Sequence, residues 1–310
     1  MSQLAFLFPG QGSQHADMGV AVLDDPEISD LADRCAAAAG VDLRHLLTRA
    51  DDDELRLTTN AQPALLFMGV ALSRLLARRG IRPAAAAGHS VGEYTALCVA
   101  GAISPEEAVR LVAERGRAMA EASPPGTSSM AAVLGLDQAA VEAALRDVPD
   151  VWPANQNTPT QIVVGGTVEA LARAQDALMA AGARRVVPLN VAAAFHTPLM
   201  VPAGATLRAA LLSVTWRAPE IPVVANLTAQ PYPDAGAIPD SLERQLSSPV
   251  LWADCVRRLS ALGCDQFLEV GPKRALTGMM RELAPAVSVR TVSSPEAVVA
   301  LGPTGSGQDC

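Results

Sequence analysis

The segment PAAAAGHSVG at residues 83–92 decides the fold. Its small, apolar first half, from Pro83 to Gly88, is typical of a short buried strand. The second half matches the pattern G-x-S-x-G, in which a tight turn between a strand and a helix exposes a serine hydroxyl. Small flanking residues are needed for that turn to fit. The segment therefore predicts an α/β protein with Ser90 as a candidate nucleophile, the alternative being a serine in an ordinary strand-to-helix turn.

Strands and helices alternate on both sides of this segment. Leu4 to Phe8 is an apolar strand that ends at Pro-Gly, and Asn60 to Arg79 has the pattern of a helix. An amphipathic helix begins after Ser104, which can cap it. Further elements are predicted after His196: helix Met200 to Leu212, strand Val223 to Asn226, helix Leu251 to Leu262 and strand Gln266 to Val270. This alternation predicts an α/β core with a mainly parallel sheet.

Residues 126–193 form a separate pattern. The predicted elements are strand Met130 to Leu134, helix Asp137 to Arg146, strand Gln161 to Val164, helix Val168 to Ala181 and strand Arg185 to Leu189. The order β-α-β-β-α-β indicates a ferredoxin-like arrangement. We therefore expect a discontinuous core, residues 1–125 and 194–300, with a ferredoxin-like subdomain inserted at residues 126–193. Residues 301–310 are rich in Gly and Ser and are expected to be a disordered tail.

Composition and charge narrow the class of protein. Half of the 310 residues are apolar and the formal net charge is −8, without a dense Lys/Arg cluster, so we expect no nucleic-acid partner. No apolar run approaches the roughly 18–20 residues of a membrane span, so we expect no membrane partner. The five cysteines lack metal-ligand or disulfide spacing, and the N-terminus lacks the basic region of a signal peptide. We expect no metal site and a cytoplasmic location.

A nucleophilic serine needs a base, and the sequence offers four histidines. His89 adjoins Ser90 and is too close on the turn to reach its hydroxyl, while His15 and His45 lie in polar contexts. His196 stands where the chain re-enters the core, at a loop before a helix, and catalytic groups concentrate at such junctions. It is the predicted base, the alternative being a hydrogen-bonded core histidine. Glu93 is too near the turn to serve as the third group, so a main-chain carbonyl could orient the base instead.

Arg115 stands on the apolar face of the helix after Ser104. At about 100° per residue it shares that face with Ala108, Leu111, Val112 and Met119, whereas Arg117 lies on the polar face. A buried guanidinium must find an anion or several acceptors. A structural ion pair is the ordinary alternative. Near the serine turn, however, the guanidinium could bind a carboxylate at the far end of a short acyl group.

The chain resembles the malonyl-CoA:acyl carrier protein transacylases of fatty acid and polyketide synthesis over roughly residues 3 to 285. The segments that carry the resemblance are Phe8 to Gln14, Gln62 to Ala64, Gly88 to Tyr94, Arg115 to Met119, Asn155 to Pro159, Phe195-His196, Gln245 to Trp252 and Glu269 to Pro272. The family fold is a hydrolase-like α/β domain with a small ferredoxin-like domain inserted.

The resemblance implies roles for individual residues. Ser90 would be the nucleophile, His196 the base, and Arg115 the binding group for the malonyl carboxylate. Gln11 and the amide of Val91 would form the oxyanion hole. The remaining implied residues line the pocket or orient the base: the main-chain carbonyl of Gln245 would orient His196, with Phe195, Gln62 and Asn157 nearby. Phe195 would crowd an α-methyl group and so favour malonyl over methylmalonyl.

These residues predict a malonyltransferase that works through a malonyl-serine intermediate. The expected partners are a coenzyme A thioester and the phosphopantetheine thiol of an acyl carrier protein, with no cofactor. One alternative is a proofreading acyl hydrolase of the same fold, against which Arg115 argues. The other is a catalytically silent docking subunit.

Overall fold

The computed structural model describes residues 2–124 and 126–301. Its strands are β1 (Gln3–Phe8), β2 (Ala85–Gly88), β3 (Ser128–Leu134), β4 (Val151–Thr158), β5 (Gln161–Thr167), β6 (Arg185–Pro188), β7 (Val223–Val224), β8 (Cys264–Val270) and β9 (Ser288–Val292). Its α-helices are α1 (Pro26–Ala39), α2 (Leu43–Thr48), α3 (Asp52–Arg56), α4 (Thr58–Arg78), α5 (Gly92–Val99), α6 (Pro105–Ala122), α7 (Gln138–Leu145), α8 (Val168–Ala180), α9 (Val201–Ser213), α10 (Ala237–Gln245), α11 (Trp252–Ala261), α12 (Thr277–Leu283) and α13 (Pro295–Ala300). Short 3-10 helices span Ala21–Asp24 and Pro198–Met200.

The larger sheet is parallel in all its described pairings and has the order β7-β2-β1-β8-β9. Its central strand β1 is buried on both faces: Phe6 and Phe8 pack into one apolar cluster, and Ala5 and Leu7 pack into another. A strand covered on both sides reads as a continuous apolar run rather than an alternating one, as residues 4–8 do. The expected α/β core with a mainly parallel sheet is confirmed.

The smaller sheet is antiparallel, with the order β4-β5-β3-β6. Helices α7 and α8 pack on it around an apolar cluster of its own. This strand order, with helices after the first and third strands, is the ferredoxin-like arrangement that the sequence predicts. Strand β4 also contacts the segment that precedes α11: the Val250 main-chain N–H donates to the Ala154 carbonyl, and the Gln156 N–H donates to the Val250 carbonyl, each at 2.9 Å.

Local sequence signals account for helix α6, which carries Arg115. The Ser104 hydroxyl accepts a hydrogen bond from the Glu107 main-chain N–H at 3.2 Å, and Pro105 occupies the first helical position. Arg115 and Gly116 lie on its buried face, and Arg117 is exposed. The predicted start of this helix and the predicted burial of Arg115 are confirmed.

At the end of the chain, Leu301 is ordered and caps α13 through a hydrogen bond to Val298, so the prediction of a disordered tail from residue 301 is wrong for Leu301. Residues 302–310, the rest of that predicted tail, lie outside the described residues. Among the helices of residues 2–124 and 126–301, none is long and apolar enough to cross a bilayer.

Candidate active site

The site is built on the turn between β2 and α5. Ser90 has a φ of +53°, a left-handed conformation that non-glycine residues rarely adopt. The turn is also very close: a Cβ at Gly88 would lie 1.8 Å from the Gly92 carbonyl carbon, and one at Gly92 would lie 2.2 Å from the Phe8 oxygen. Both glycines of the G-x-S-x-G pattern are therefore required by space. A strained serine at the end of a parallel strand is typical of a nucleophile elbow.

Asn226, just beyond β7, holds this turn in place. Its side-chain Oδ1 accepts from the Ser90 main-chain N–H at 2.8 Å, and its Nδ2 donates to the Gly88 carbonyl at 2.7 Å. The residue is fully buried. One side chain thus satisfies polar main-chain groups on both sides of His89, which stabilises the strained conformation of Ser90.

His196 lies beside the serine hydroxyl. The distance from Ser90 Oγ to His196 Nε2 is 2.7 Å, and the other ring nitrogen, Nδ1, lies 2.8 Å from the Gln245 main-chain oxygen. Because a carbonyl oxygen can only accept, the proton of the neutral ring is on Nδ1 and Nε2 faces the serine as an acceptor. The expected contacts of Ser90 with His196, and of His196 with the Gln245 carbonyl, are present.

The imidazole of His196 is held in its neutral form. Burial, helped by the nearby positive charge of Arg115, lowers the pKa of His196 to about 3. Hydrogen bonding to Gln245 acts in the opposite direction but is outweighed. At neutral pH the ring is consequently free to accept a proton.

Arg115 reaches the same point from α6. Its Nη2 lies 3.2 Å from Ser90 Oγ and 3.0 Å from the side-chain Oε1 of Gln245, and its Nη1 donates to Gln62 Oε1 at 2.8 Å. The guanidinium also lies 5.6 Å from the centre of the Tyr94 ring.

Arg115 has no carboxylate partner. Only 1% of the residue is exposed, no described carboxylate forms a salt bridge with it, and its buried Nε donates to no described acceptor. Burial lowers the pKa of Arg115, yet a guanidinium remains charged at neutral pH. The site therefore contains a desolvated cation, next to a serine hydroxyl, whose neighbours are neutral amides, a hydroxyl and an aromatic ring.

Glu93 is a part of the site that the sequence did not reveal. It is fully buried and accepts from Gln245 Nε2 at 2.6 Å, from the Asn226 main-chain N–H at 3.1 Å and from the Tyr232 hydroxyl. Burial raises the pKa of Glu93 to about 7, against the opposing effect of these hydrogen bonds. The carboxyl touches neither Ser90 nor His196. It positions Gln245, whose main-chain and side-chain oxygens contact the imidazole and the guanidinium.

A cavity of about 210 Å³ opens on these groups and is lined by Gln11, Val91 and Phe195 as well. The main-chain N–H groups of Gln11 and Val91 donate to no other described residue, as an oxyanion hole requires. The Gln11 side chain is unsuited to that task, because its Nε2 lies 3.2 Å from the Arg56 carbonyl and 3.4 Å from Thr58 Oγ1. Phe195 is 7% exposed and forms part of the cavity wall.

Asn157 contacts His89 rather than His196. Its Oδ1 lies 3.0 Å from His89 Nε2, and the His89 ring centre lies 5.5 Å from that of Trp252. His89 is thus directed away from the Ser90 hydroxyl, and Asn157 connects the small sheet to the turn. Of the remaining histidines, His15 bonds main-chain oxygens and His45 pairs with Glu54. Among the described residues no cluster of His, Cys, Asp and Glu could hold a metal ion.

A parallel α/β core, with a serine on a strand–turn–helix elbow and a neutral histidine against its hydroxyl, defines the class of acyl-transferring enzymes with a serine nucleophile. Residues 5–285 match the family model described as acyl transferase domain. The chain is 41% identical over 305 residues to the malonyl CoA-acyl carrier protein transacylase of Salmonella typhimurium, covering 97% of this chain and 99% of the relative.

Solved structures agree with this match. An acyl carrier protein S-malonyltransferase from Vibrio cholerae superposes with a TM-score of 0.93 at 36% identity, over 97% of this chain and all of the other. A malonyl-transacylase in complex with its type II PKS acyl-carrier protein superposes with a TM-score of 0.92 at 38% identity, over 96% and 98% of the two chains. The chain belongs to the malonyl CoA-acyl carrier protein transacylase family.

Proposed function

We propose that this enzyme transfers a malonyl group from malonyl-CoA to the phosphopantetheine thiol of an acyl carrier protein, through a malonyl ester on Ser90. The observation that carries the proposal is the unpaired Arg115 cation 3.2 Å from the Ser90 hydroxyl. A buried charge without a counter-ion is costly, and a substrate that brings its own anion removes that cost. A carboxylate one methylene beyond the reacting carbonyl, as in malonyl, reaches the guanidinium while the carbonyl lies at the serine.

The first half of the reaction forms the ester. His196 Nε2 takes the proton of the Ser90 hydroxyl as its oxygen attacks the thioester carbonyl. The Gln245 carbonyl holds the Nδ1 proton, which keeps the ring in the tautomer that can accept at Nε2. The negative charge on the carbonyl oxygen is stabilised by the main-chain N–H groups of Val91 and Gln11. Coenzyme A leaves as its thiol after taking the proton from His196.

The second half repeats these steps with another nucleophile. The phosphopantetheine thiol of the carrier gives its proton to His196 and attacks the malonyl ester. The C–O bond to Ser90 breaks, and His196 returns the proton to the serine oxygen. Arg115 holds the malonyl carboxylate throughout, so the acyl group keeps its orientation between the two transfers. The cycle uses no metal and no redox cofactor.

The partners follow from this cycle: a coenzyme A thioester and a phosphopantetheinylated carrier protein, with no nucleic acid and no membrane. Relatives act on acyl carrier proteins, one of them in a type II PKS. We place the enzyme in the cytoplasm, which the free thiols of Cys35, Cys98, Cys255 and Cys264 support.

A proofreading acyl hydrolase is the second candidate. The same elbow and imidazole could activate water against the acyl ester, but a hydrolase that clears uncharged acyl chains gains nothing from a buried cation beside the serine. A silent docking subunit would have no need of a 2.7 Å contact between Ser90 and His196. Arg115 therefore favours the malonyltransferase over both.

The test replaces Arg115 with Ala and measures kcat/KM for transfer from malonyl-, methylmalonyl- and acetyl-CoA to a carrier protein. We expect malonyl transfer to fall by about 100-fold or more, on the scale of a lost buried charge pair. Acetyl transfer should fall far less or rise, because no carboxylate is required. Methylmalonyl transfer should be weaker than malonyl transfer in the wild type, because Phe195 narrows the cavity.

Arg117→Ala is the matched control. Arg117 is on the same helix but exposed, so its removal should leave the preference for malonyl unchanged. An Arg115→Ala enzyme that discriminates malonyl from acetyl as the wild type does would refute the carboxylate clamp. Release of free malonate or acetate from the carrier faster than malonyl loading would favour the hydrolase.

A further inference from the structure

A second cavity lies at the opposite end of the parallel sheet from Ser90. It opens before the amino ends of β2 and β7, where residues 81–83 and 217–221 lead into these strands, whereas Ser90 follows the carboxyl end of β2. Its volume is about 490 Å³, against about 210 Å³ for the cavity at the elbow. That volume is in the usual range for small-molecule sites.

The inner wall of this cavity is apolar. It is formed by side chains from β1, α4 and the segments that precede β2, α6 and β7: Phe6, Val70, Ile81, Ile103 and Ile221. Four of these are buried in the core and Ile221 is half-buried, so the wall is rigid rather than a mobile surface. An apolar group entering the cavity would be removed from water.

Three arginines surround the opening. Arg74, Arg82 and Arg217 line the cavity, are exposed, and form no salt bridge or side-chain hydrogen bond with any described residue. The one acidic side chain in the lining is Glu220, so the opening keeps a net positive charge. Of the other 20 arginines in the described part of the chain, nine form a salt bridge with a carboxylate. Glu106, near Arg74, already bonds Arg34 at 2.9 Å.

A buried hydroxyl in the wall of the cavity also lacks a partner. Ser73, on the face of α4 that carries Val70 and Ala77, is 6% exposed, and its Oγ makes no hydrogen bond with any described residue. Buried hydroxyls in folded proteins are nearly always hydrogen-bonded. Rotation of the Ser73 side chain toward the cavity would let the hydroxyl bond an oxygen of a bound ligand.

We propose that this cavity is a second ligand site, separate from the elbow, which binds an amphipathic anion: an apolar chain against the inner wall, an oxygen at Ser73, and a carboxylate or phosphate head among Arg74, Arg82 and Arg217. The proposal does not depend on the reaction at Ser90, because the two cavities share no lining residue.

The test is isothermal titration calorimetry of the full chain with octanoate and, separately, octyl phosphate, which distinguishes the two kinds of head. The reference ligand is whichever of octanoate and octyl phosphate binds more tightly, called here the preferred octyl anion. Octanol lacks its charge and inorganic phosphate lacks its chain, so both should bind about tenfold more weakly or worse. The double variant Arg74→Ala, Arg217→Ala should weaken binding of that anion by about tenfold or more. Ser73→Ala should weaken it by a smaller factor while leaving the thermal midpoint unchanged, since the hydroxyl makes no bond in the free protein.

Arg173→Ala, an exposed arginine on α8 without a described ion pair, is the matched control and should bind as the wild type does. Malonyl transfer by the double variant should equal that of the wild type, which shows that it is folded. The proposal is overturned if neither octyl anion binds, if octanol binds equally well, or if the double variant retains full affinity. Loss of binding in Arg115→Ala alone would place the anion at the elbow and would overturn it as well.

Discussion

At the scale of single residues, the chemistry of Ser90 depends on a charge that the free enzyme leaves uncompensated. Arg115 donates toward the serine oxygen and disfavours protonation of His196. On the proposed mechanism, a malonyl carboxylate bound to Arg115 cancels part of this charge, so the pKa of His196 rises toward its ordinary value. The correct substrate would thereby strengthen the base that activates the serine, and an uncharged acyl group would not.

The pH dependence of serine acylation tests the neutral state of His196. With a pKa of about 3, the free imidazole stays unprotonated from pH 8 to pH 5, so the second-order rate constant for acylation by acetyl-CoA should show no loss from protonation of His196 over that range. A histidine with the usual pKa of about 6.5 would lose roughly 30-fold over that range. Rapid-quench measurement of acyl-enzyme formation gives the profile directly.

Arg115→Ala supplies the comparison within this experiment. Removing the cation raises the pKa of His196, so the acidic limb of acetylation should move to higher pH in the variant. Two results would contradict burial and Arg115 as the causes of the low pKa of His196. One is a wild-type acetylation rate that falls with a midpoint near pH 6.5, and the other is a midpoint that is the same with and without Arg115.

The sequence alone was sufficient to predict the three side chains that meet at the centre of the site. Ser90 followed from its motif, His196 from its place at a chain junction, and Arg115 from a charge on an apolar helical face. Asn226 and Glu93 were missed because their partners lie more than 130 residues away and no local pattern marks a side chain that bonds a distant backbone. The sequence did contain one signal for Asn226, which stands at the carboxyl end of a predicted strand. In parallel sheets, functional residues are often found at the carboxyl ends of the strands.

At the scale of elements, the site depends on two adjacent strand ends. The turn after β2 carries Ser90, and the loop after β7 carries Asn226, which bonds both Gly88 and Ser90. The predicted strand Val223 to Asn226 stops at Val224 in the structure, so the Asn226 main-chain N–H is free to donate to Glu93. The loop after the short, buried strand β7 thus supports the turn that carries Ser90 through the hydrogen bonds of Asn226.

Asn226→Ala tests this support. The change leaves the Ser90 N–H and the Gly88 carbonyl without their partner, and each orphaned buried group costs about 1–3 kcal/mol of unfolding free energy. We expect a lower kcat with a smaller change in KM, because the serine is displaced while the rest of the cavity remains. Denaturant unfolding and steady-state malonyl transfer measure the two effects.

Asn60→Ala is the control for this variant, since Asn60 also bonds a main-chain oxygen, that of Glu54, but does not contact the elbow. It should reduce stability and leave kcat unchanged. If Asn226→Ala kept the wild-type kcat, the loop after β7 would have no part in positioning Ser90.

Two strands had not been located from the sequence, each for a physical reason. Strand β4 contains Pro153, Asn155, Gln156 and Asn157 and pairs with β5 through two register shifts, so no regular alternation marks it. Strand β9 is a five-residue edge strand in which only the last residue is buried. The predicted bounds of helices α4, α7, α8, α9 and α11 agree with the structure to within two residues, whereas the amphipathic helices α1 and α10 were not predicted.

At the scale of the molecule, the cavity at the elbow lies between the two sheets. Ser90, Val91 and Arg115 line it from the core, and Met130, Asn157 and Val163 line it from the small sheet. The predicted boundary at residues 193–194 falls after β6, which ends at Pro188, and residue 125, at the other predicted boundary, lies outside the described residues. Contacts such as Asn157 with His89 hold the two sheets against each other at the site.

Glu93 links four segments of the core, and its titration should make the stability of the protein depend on pH. Its pKa is raised to about 7 in the folded state and is near 4.5 when exposed. Between these values the folded protein keeps a proton that the unfolded chain has lost, so this carboxyl lowers the free energy of unfolding as pH rises from 4.5 to 7. The difference amounts to about 3 kcal/mol at most.

Glu93→Gln removes this titration. The stability of the variant relative to the wild type should therefore increase as pH rises from 5 to 8, whatever the constant cost of altered hydrogen bonds. Glu121→Gln, at an exposed position on α6, should show no such trend. Urea unfolding at several pH values measures the free energy of unfolding of each protein. If the difference in this free energy between Glu93→Gln and wild type were the same at every pH, Glu93 would not titrate in this range.

The hydrogen bonds that shape the elbow come from widely separated parts of the chain, at residues 196, 226 and 245. During synthesis, the segment around residue 90 leaves the ribosome long before any of these partners. The nascent polypeptide therefore carries an ordinary alcohol, and reactivity toward thioesters arrives only when most of the protein has emerged. Fragments that terminate before residue 245 would be unable to trap activated acyl groups, so incomplete translation products would not consume them.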